Sequence, residues 1–260
     1  MINTDRTWQT PTANLTISDT EIHLWRAELD RPQSQIQNIA QTLSDSELQR
    51  ADRFRFDRDK IRFIARRAAL RGILSRYLNV APNQVQFSYG PCGKPEIADN
   101  LDSGICFNLS DSQGLALYAV TRGRKIGVDL EQIRDIPHIE ELANRFFSKQ
   151  ESTALQAVAA EEKIAAFFNC WTRKEAYIKA MGDGLSFPLD KFSVSLIPGE
   201  PAKLLNVDGD RSAPELWYLK ELVTAPNYIA AIAVECKGDR AFEITNWEWG
   251  MGHGAWGIAE

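Results

Sequence analysis

Helical and strand-like stretches follow one another in blocks along this chain, and the order of the blocks narrows the folds open to it. A period-2 pattern at 21–29 (EIHLWRAEL) precedes helical segments, and three short strands follow between 104 and 133 with turns at Ser112–Gly114 and Arg122–Arg124. Helical patterns at 137–146, 148–159 and 161–181 come next, then strands at KFSVSLI, ELWYLKELV, YIAAIAVEC and FEITNWEW. Strand–helix–strands followed by helices–strands is an α+β order, compatible with two similar halves although the sequence shows no convincing internal repeat. The expected division is a poorly ordered polar tail at 1–19, an N-terminal α+β half at 20–124, a C-terminal α+β half at 125–245 and a Gly-rich tail at 246–260.

Local signals mark the helices. Ser44 with Glu47 three residues later forms a capping-box pattern at the start of LSDSELQRADRF. A longer helix through 60–78 carries an apolar stripe of Ile61, Ile64, Ala65, Ala68, Gly72 and Ile73. Residues 82–97 read as a short strand and a Gly/Pro-rich loop.

Composition excludes several classes of function. A net charge of −5 argues against a protein that coats nucleic acid. Three scattered histidines (His23, His138, His253) disfavour a zinc site or a Ser–His–Asp hydrolase. The four cysteines form no CxxC pair, which points to buried thiols in a reducing cytoplasm. The first residues lack a signal-peptide core, and the longest aliphatic runs, such as YIAAIAV, are far too short to cross a bilayer.

Catalysis in such a chain falls to carboxylates, Lys, Arg and a metal, and three stretches supply them. In KIGVDLEQI (125–133), Ile126, Val128 and Leu130 share one strand face while Gly127, Asp129 and Glu131 share the other. Two acids at i and i+2 repel each other; they fit either a solvated strand edge or a hard-cation site of the Mg²⁺ type. In CWTRKEAYIKAMGDGLSF (170–187), Trp171, Glu175 and Lys179 stand on one helical face that stops at Gly182, followed by Gly184. Taken alone, that ridge is also a common surface Glu–Lys pair beside a half-buried Trp.

Residues 50–76 carry ten basic side chains against Asp52, Asp57 and Asp59, with Arg55, Arg58, Arg62 and Arg66 on one face. The imbalance fits a solvated basic face, a phosphate-bearing ligand or an acidic protein partner. The turn YGPCGKPEI exposes backbone and a cation at a loop tip, able to lie along a nucleotide, but matches neither the Walker nor the dinucleotide glycine pattern.

In order, GKPEI, FNLSDS, IGVDLE, RFFSKQE and WTRKEAYIKAMGDGLSFPL resemble the signatures of the Sfp-type 4′-phosphopantetheinyl transferases, from about residue 45 to about 235. The resemblance implies a pseudo-dimer of two α+β halves with CoA and Mg²⁺ (or Mn²⁺) in the cleft between them. The implied reaction moves phosphopantetheine from CoA to a serine hydroxyl of an apo acyl, peptidyl or polyketide carrier protein and releases adenosine 3′,5′-bisphosphate. By the same resemblance, Asp129, Glu131 and Glu175 hold the metal, and Glu175 or a water held by Glu131 takes the serine proton. Lys179 faces the leaving phosphate, and Trp171 packs beside the metal site to hold the helix against the strand. Gly93, Lys94 and Pro95 match the loop against the adenine and its phosphates, Arg50 and Arg62 match basic residues near the nucleotide, and Ser110 matches the motif serine. A monomer is expected, with no nucleic-acid or membrane partner.

One position departs from the pattern. Asp111 stands where the family carries a His associated with the CoA 3′-phosphate. Two like charges at about 4 Å and an effective dielectric near 20 repel by roughly 4 kcal/mol before screening. Weakened CoA binding with intact transfer chemistry is the expectation, with a catalytically impaired carrier-protein or CoA-binding relative as the alternative. A Mg²⁺-dependent nuclease using the same acids has no signature to support it.

Overall fold

The computed structural model describes residues 7–11, 14–98, 104–182, 187–238 and 241–250. Gly184 and the expected tail segments 1–6 and 251–260 lie outside them. The chain runs β1 (Glu21–Glu28), α1 (Gln33–Ala40), α2 (Asp45–Ala51), α3 (Asp57–Leu78) and the hairpin β2 (Phe87–Tyr89) and β3 (Pro95–Ile97). Then come β4 (Ile105–Ser112), β5 (Leu115–Arg122), β6 (Ile126–Gln132), α4 (Ile139–Phe146), α5 (Lys149–Ala157) and α6 (Lys163–Met181). The last elements are β7 (Phe192–Val194), β8 (Leu204–Val207), α7 (Ala213–Leu216), β9 (Trp217–Leu222), β10 (Tyr228–Glu235) and β11 (Glu243–Trp249).

Two sheets organise the α+β fold, one in the order β11-β1-β5-β4 and one in the order β6-β10-β9. Strand alternation divides their side chains among three apolar clusters. On β5, Ala116, Tyr118 and Val120 face the N-terminal core with α1 and α3, while Leu115, Leu117 and Ala119 face the other sheet. On β10, Ala231 and Ala233 join the core around α6, while Ala230, Ile232 and Val234 meet the first sheet. Strands buried on both faces need apolar residues at every position, which is why LALYAV and YIAAIAV read as continuous runs. Each fully buried aliphatic chain in the layer between the sheets contributes about 1.5–3 kcal/mol, so this layer holds the halves together.

Local chemistry sets the helix ends. The Ser44 hydroxyl accepts from the Glu47 amide while the Glu47 carboxylate accepts from the Ser44 amide, closing the predicted capping box. Ser148 and Glu151 close a second one at the start of α5. Gly182 ends α6 with φ +87°, a conformation that a Cβ disfavours.

Parts of both expected tails pack into the fold. Residues 246–249 continue β11, which pairs in parallel with β1 from Glu21↔Glu243 to Ala27↔Trp249, and Trp249 is buried in the N-terminal core. Within 1–19, Gln9 exchanges backbone hydrogen bonds with Asn246 and Glu248 of β11, and Ile17 is buried. The polar and Gly-rich composition hid these contacts because their partners lie at opposite ends of the chain. Helix α1, which the sequence left unassigned, buries only Ile36 and Ile39, too few apolar positions to announce a helix. No helix among the described residues is long and apolar enough to cross a membrane.

Candidate active site

Helix α6 lies so close to β6 that one position of the strand has to be glycine. A Cβ on Gly127 would fall 2.0 Å from the Ala176 carbonyl oxygen and 2.4 Å from the Ala180 amide nitrogen, so α6 rests directly on the strand backbone. Asp129 shares that strand face, and Glu175 and Lys179 are the helix residues carried over it. Lys179 Nζ donates to Asp129 Oδ1 at 2.6 Å, Ser110 Oγ at 3.0 Å and the Val128 carbonyl at 3.3 Å. Ser110 Oγ in turn donates to Asp129 Oδ1 at 2.9 Å.

Two carboxylate oxygens in this group, Asp129 Oδ2 and Glu175 Oε1, are buried with no hydrogen-bond partner among the described residues. A buried carboxylate oxygen left unpaired is costly, and the cost appears in Glu175 as a raised pKa. Burial is the largest cause, with the charges of Asp129 and Glu131 adding to it and Lys179 opposing. Glu131 is turned away: its Oε2 accepts from Ser112 Oγ at 3.2 Å and from Arg134 at 3.0 Å. Among the described residues, no three Asp, Glu, His or Cys side chains are gathered as a ready-made metal cluster. What the structure brings together is Asp129, Glu175, Lys179 and Ser110, with Glu131 alongside and tied off.

The basic residues of α3 divide sharply. Arg67 and Arg71 point inward and donate through Nε to Glu47 at 2.6 and 2.7 Å, a buried carboxylate paired with two guanidiniums. Arg62 forms a two-pronged pair with Asp30 at 2.6 and 2.8 Å, beside the β4–β5 turn. Its fork is committed to the Asp30 carboxylate, and it is not among the residues that line the cleft beside Arg50. Arg66, one turn further along the helix, does line it. It pairs with Asp111 and lines a cleft of about 410 Å³ together with Arg50, Arg67, Phe63, Gly93 and Pro95. Arg50 is exposed at the cleft mouth, its guanidinium 5.5 Å from the Phe63 ring centre.

Lys94 also departs from expectation. Its ammonium does not stand at the loop tip but turns inward, donating to the Lys179 carbonyl at 2.7 Å and the Ile126 carbonyl at 3.2 Å. Burial lowers its pKa, while one carbonyl near the end of α6 and one on β6 give it the acceptors a cation needs there. Trp171 stacks on Phe167, meets Phe146 edge-on and lines a hollow of about 300 Å³ together with Glu131 of β6. A roomier hollow of about 660 Å³ between β9 and residues 199–204 contains none of the predicted site residues.

Sequence reasoning passed over Asn108 and Ser112, which share a face of β4 with Ser110. Their two-residue spacing in FNLSDS was the available signal. It also named Arg66 only as one member of a basic face.

Comparison with known proteins bears on most of the chain. Residues 125–233 match the family model of the 4′-phosphopantetheinyl transferase superfamily, and residues 13–122 match the one described as 4′-phosphopantetheinyl transferase, N-terminal. The 4′-phosphopantetheinyl transferase Sfp of Bacillus subtilis strain 168 is 35% identical over 170 residues, covering 65% of this chain and 74% of that protein. A putative 4′-phosphopantetheinyl transferase of Synechocystis is 38% identical over 177 residues, covering 68% and 70%. The 4′-phosphopantetheinyl transferase HetI of Nostoc sp. strain PCC 7120 is 48% identical over 229 residues, 88% of this chain and 93% of its own. With that identity sustained along the length of both proteins, and with its two halves matched in order, the chain belongs to the 4′-phosphopantetheinyl transferase family.

Proposed function

We propose that this protein transfers the 4′-phosphopantetheine group of CoA to a serine hydroxyl of an apo acyl, peptidyl or polyketide carrier protein. The observation that carries the reading is the pair of unpartnered buried oxygens, Asp129 Oδ2 and Glu175 Oε1, on the two elements of the α6–β6 contact, with Lys179 bound to the other Asp129 oxygen. An oxygen-rich, net-negative pocket suits a hard divalent cation, and Mg²⁺ in such sites takes one or two carboxylates plus substrate phosphate oxygens. Asp129 and Glu175 fit it directly, with Glu131 as a further ligand once released from Arg134. When bound, the ion neutralises pyrophosphate charge.

The chain's own side chains do the rest. The serine oxygen forms a bond to the phosphorus that bears the pantetheine, the phosphoanhydride bond to the nucleotide breaks, and adenosine 3′,5′-bisphosphate leaves with the electron pair. Glu175 is the better acceptor for the serine proton, because Glu131 Oε2 is already bonded twice. Lys179 places a positive charge beside the leaving phosphate. Arg50 and Arg66, with Gly93 and Pro95, offer the nucleotide a basic cleft on the N-terminal half. The reading includes a monomer of two pseudo-symmetric halves meeting near residue 124, acting in the cytoplasm on carriers that are acidic and steered by arginine.

The test is intact-protein mass spectrometry of an apo carrier incubated with this protein, CoA and Mg²⁺ (or Mn²⁺). A phosphopantetheine-sized mass gain that disappears with EDTA is expected; no gain on several carriers at saturating CoA would overturn the proposal.

Asp111 tunes the same cleft. It occupies the Arg66 guanidinium and adds a negative charge where a nucleotide phosphate is to sit. Asp111→His is expected to lower the KM for CoA roughly tenfold, equivalent to about 1.4 kcal/mol, and to change dephospho-CoA much less. Equal effects on the two substrates would remove the 3′-phosphate from the explanation.

A further inference from the structure

Strands β4 and β6 are edge strands of different sheets, yet they lie side by side at the centre of the molecule. Among the described residues no backbone hydrogen bond joins them. An edge strand buried in this way is left with amide groups that need partners. Side chains on one face of β4 supply them. Asn108 Oδ1 accepts from the Val128 amide at 2.9 Å, and Ser112 Oγ accepts from the Gln132 amide at 3.1 Å. Between them Ser110 donates to Asp129, and Ser112 also donates to Glu131. Residue 108 meets 128 and 112 meets 132, so the strands advance in the same direction with every contact in step.

We propose that Asn108 and Ser112 are positioning residues that set Asp129 and Glu131 in register with the nucleotide cleft. The apolar layer between the sheets is non-directional and tolerates a slide of one half against the other. Hydrogen bonds to two specific amides do not. The opposite face of β4 carries Asp111, paired with Arg66 at the cleft, so this strand carries the alignment from the cleft to the carboxylates. Neither residue touches a reacting atom: Asn108 acts through the β6 backbone, and Ser112 through that backbone and the Glu131 carboxylate. The kinetic part of the test rests on the transferase reading above; the structural part does not.

The experiment uses the full chain with Ser112→Ala, Ser112→Thr and Asn108→Ala, following carrier modification and backbone amide exchange in parallel. Ser112→Ala is expected to lower kcat about ten- to a hundredfold, as loss of a group that orients a ligand does, with the KM for CoA near that of the parent. Ser112→Thr keeps the hydroxyl and is expected to stay close to the parent. Exchange at Gln132 quickens in Ser112→Ala and at Val128 in Asn108→Ala, with distant amides unchanged. Should Asn108→Ala not fold, the Ser112 pair still decides the matter. Parental kcat in Ser112→Ala, or an equal loss in Ser112→Thr, overturns the proposal. If the parent modifies no carrier, the functional reading fails by itself, and unchanged protection at Gln132 and Val128 overturns the register as well.

Discussion

Replacing Glu175 by glutamine is expected to cut carrier modification by roughly a thousandfold, within the 10²–10⁴ range of a positioned proton acceptor, while making the metal-free protein more stable. The two effects share one cause. Glutamine keeps the size of the side chain and removes its charge. In the parent, burial first and then the negative charges of Asp129 and Glu131 raise the Glu175 pKa. A carboxyl whose pKa is raised by folding contributes stability below its unfolded value, near 4.3, and that contribution is lost as pH rises through the folded pKa. At pH 7 the metal-free parent therefore carries the cost of that raised pKa, and the variant does not. Thermal melts in EDTA should place the variant a few degrees above the parent at pH 7, with the gap closing towards pH 4. Mg²⁺ should raise the melting temperature of the parent and leave the variant nearly unmoved. A variant that keeps most of its transfer activity, or that melts below the parent in EDTA, would show that Glu175 is neither the strained ligand nor the proton acceptor.

The carboxylate ridge was legible in the sequence because it obeys two short-range periods. Asp129 and Glu131 alternate on one strand, Glu175 and Lys179 share one helix face, and the structure sets strand and helix face to face. The helix stops, the capping box at Ser44 and most strands were equally readable, since each depends on a few adjacent residues. What could not be read was set by contacts across the chain. Arg62 and Arg66 lie on the same helical stripe, and only the tertiary position of Asp30 and Asp111 decides which of them lines the cleft. Lys94 has the sequence context of a loop-tip cation, yet the end of α6, 85 residues away, offers its ammonium a carbonyl and draws it inward. The pairing of β11 with β1 joins residues over two hundred positions apart, so FEITNWEW reads as a strand without showing its partner.

Gly127→Ala is expected to be the most damaging single methyl group that can be added to this site. The new Cβ would lie 2.0 Å from the Ala176 carbonyl oxygen, 2.4 Å from the Ala180 nitrogen and 3.0 Å from the Lys179 carbonyl carbon. All three are backbone atoms in the last two turns of a 19-residue helix, so no side-chain rotation relieves the contact. Either α6 lifts off β6 by more than about 1 Å or the strand bends, and both are resisted by close-packed surroundings. Overpacking of this kind costs about 1–3 kcal/mol and occasionally more. The larger loss is functional. The displacement falls on the contact that carries Glu175 and Lys179 over Asp129, and a misplacement of about 1 Å costs on the order of a hundredfold in rate. The variant should therefore fold with a lowered melting temperature, bind CoA in the N-terminal cleft much as the parent does, and transfer at least a hundredfold more slowly. The measurements are a thermal melt, CoA binding by calorimetry and single-turnover carrier modification on the same preparation. Parental rates from a folded Gly127→Ala protein would mean that the α6–β6 contact does not position the reacting groups, and the placement of the site on that contact would fall with it.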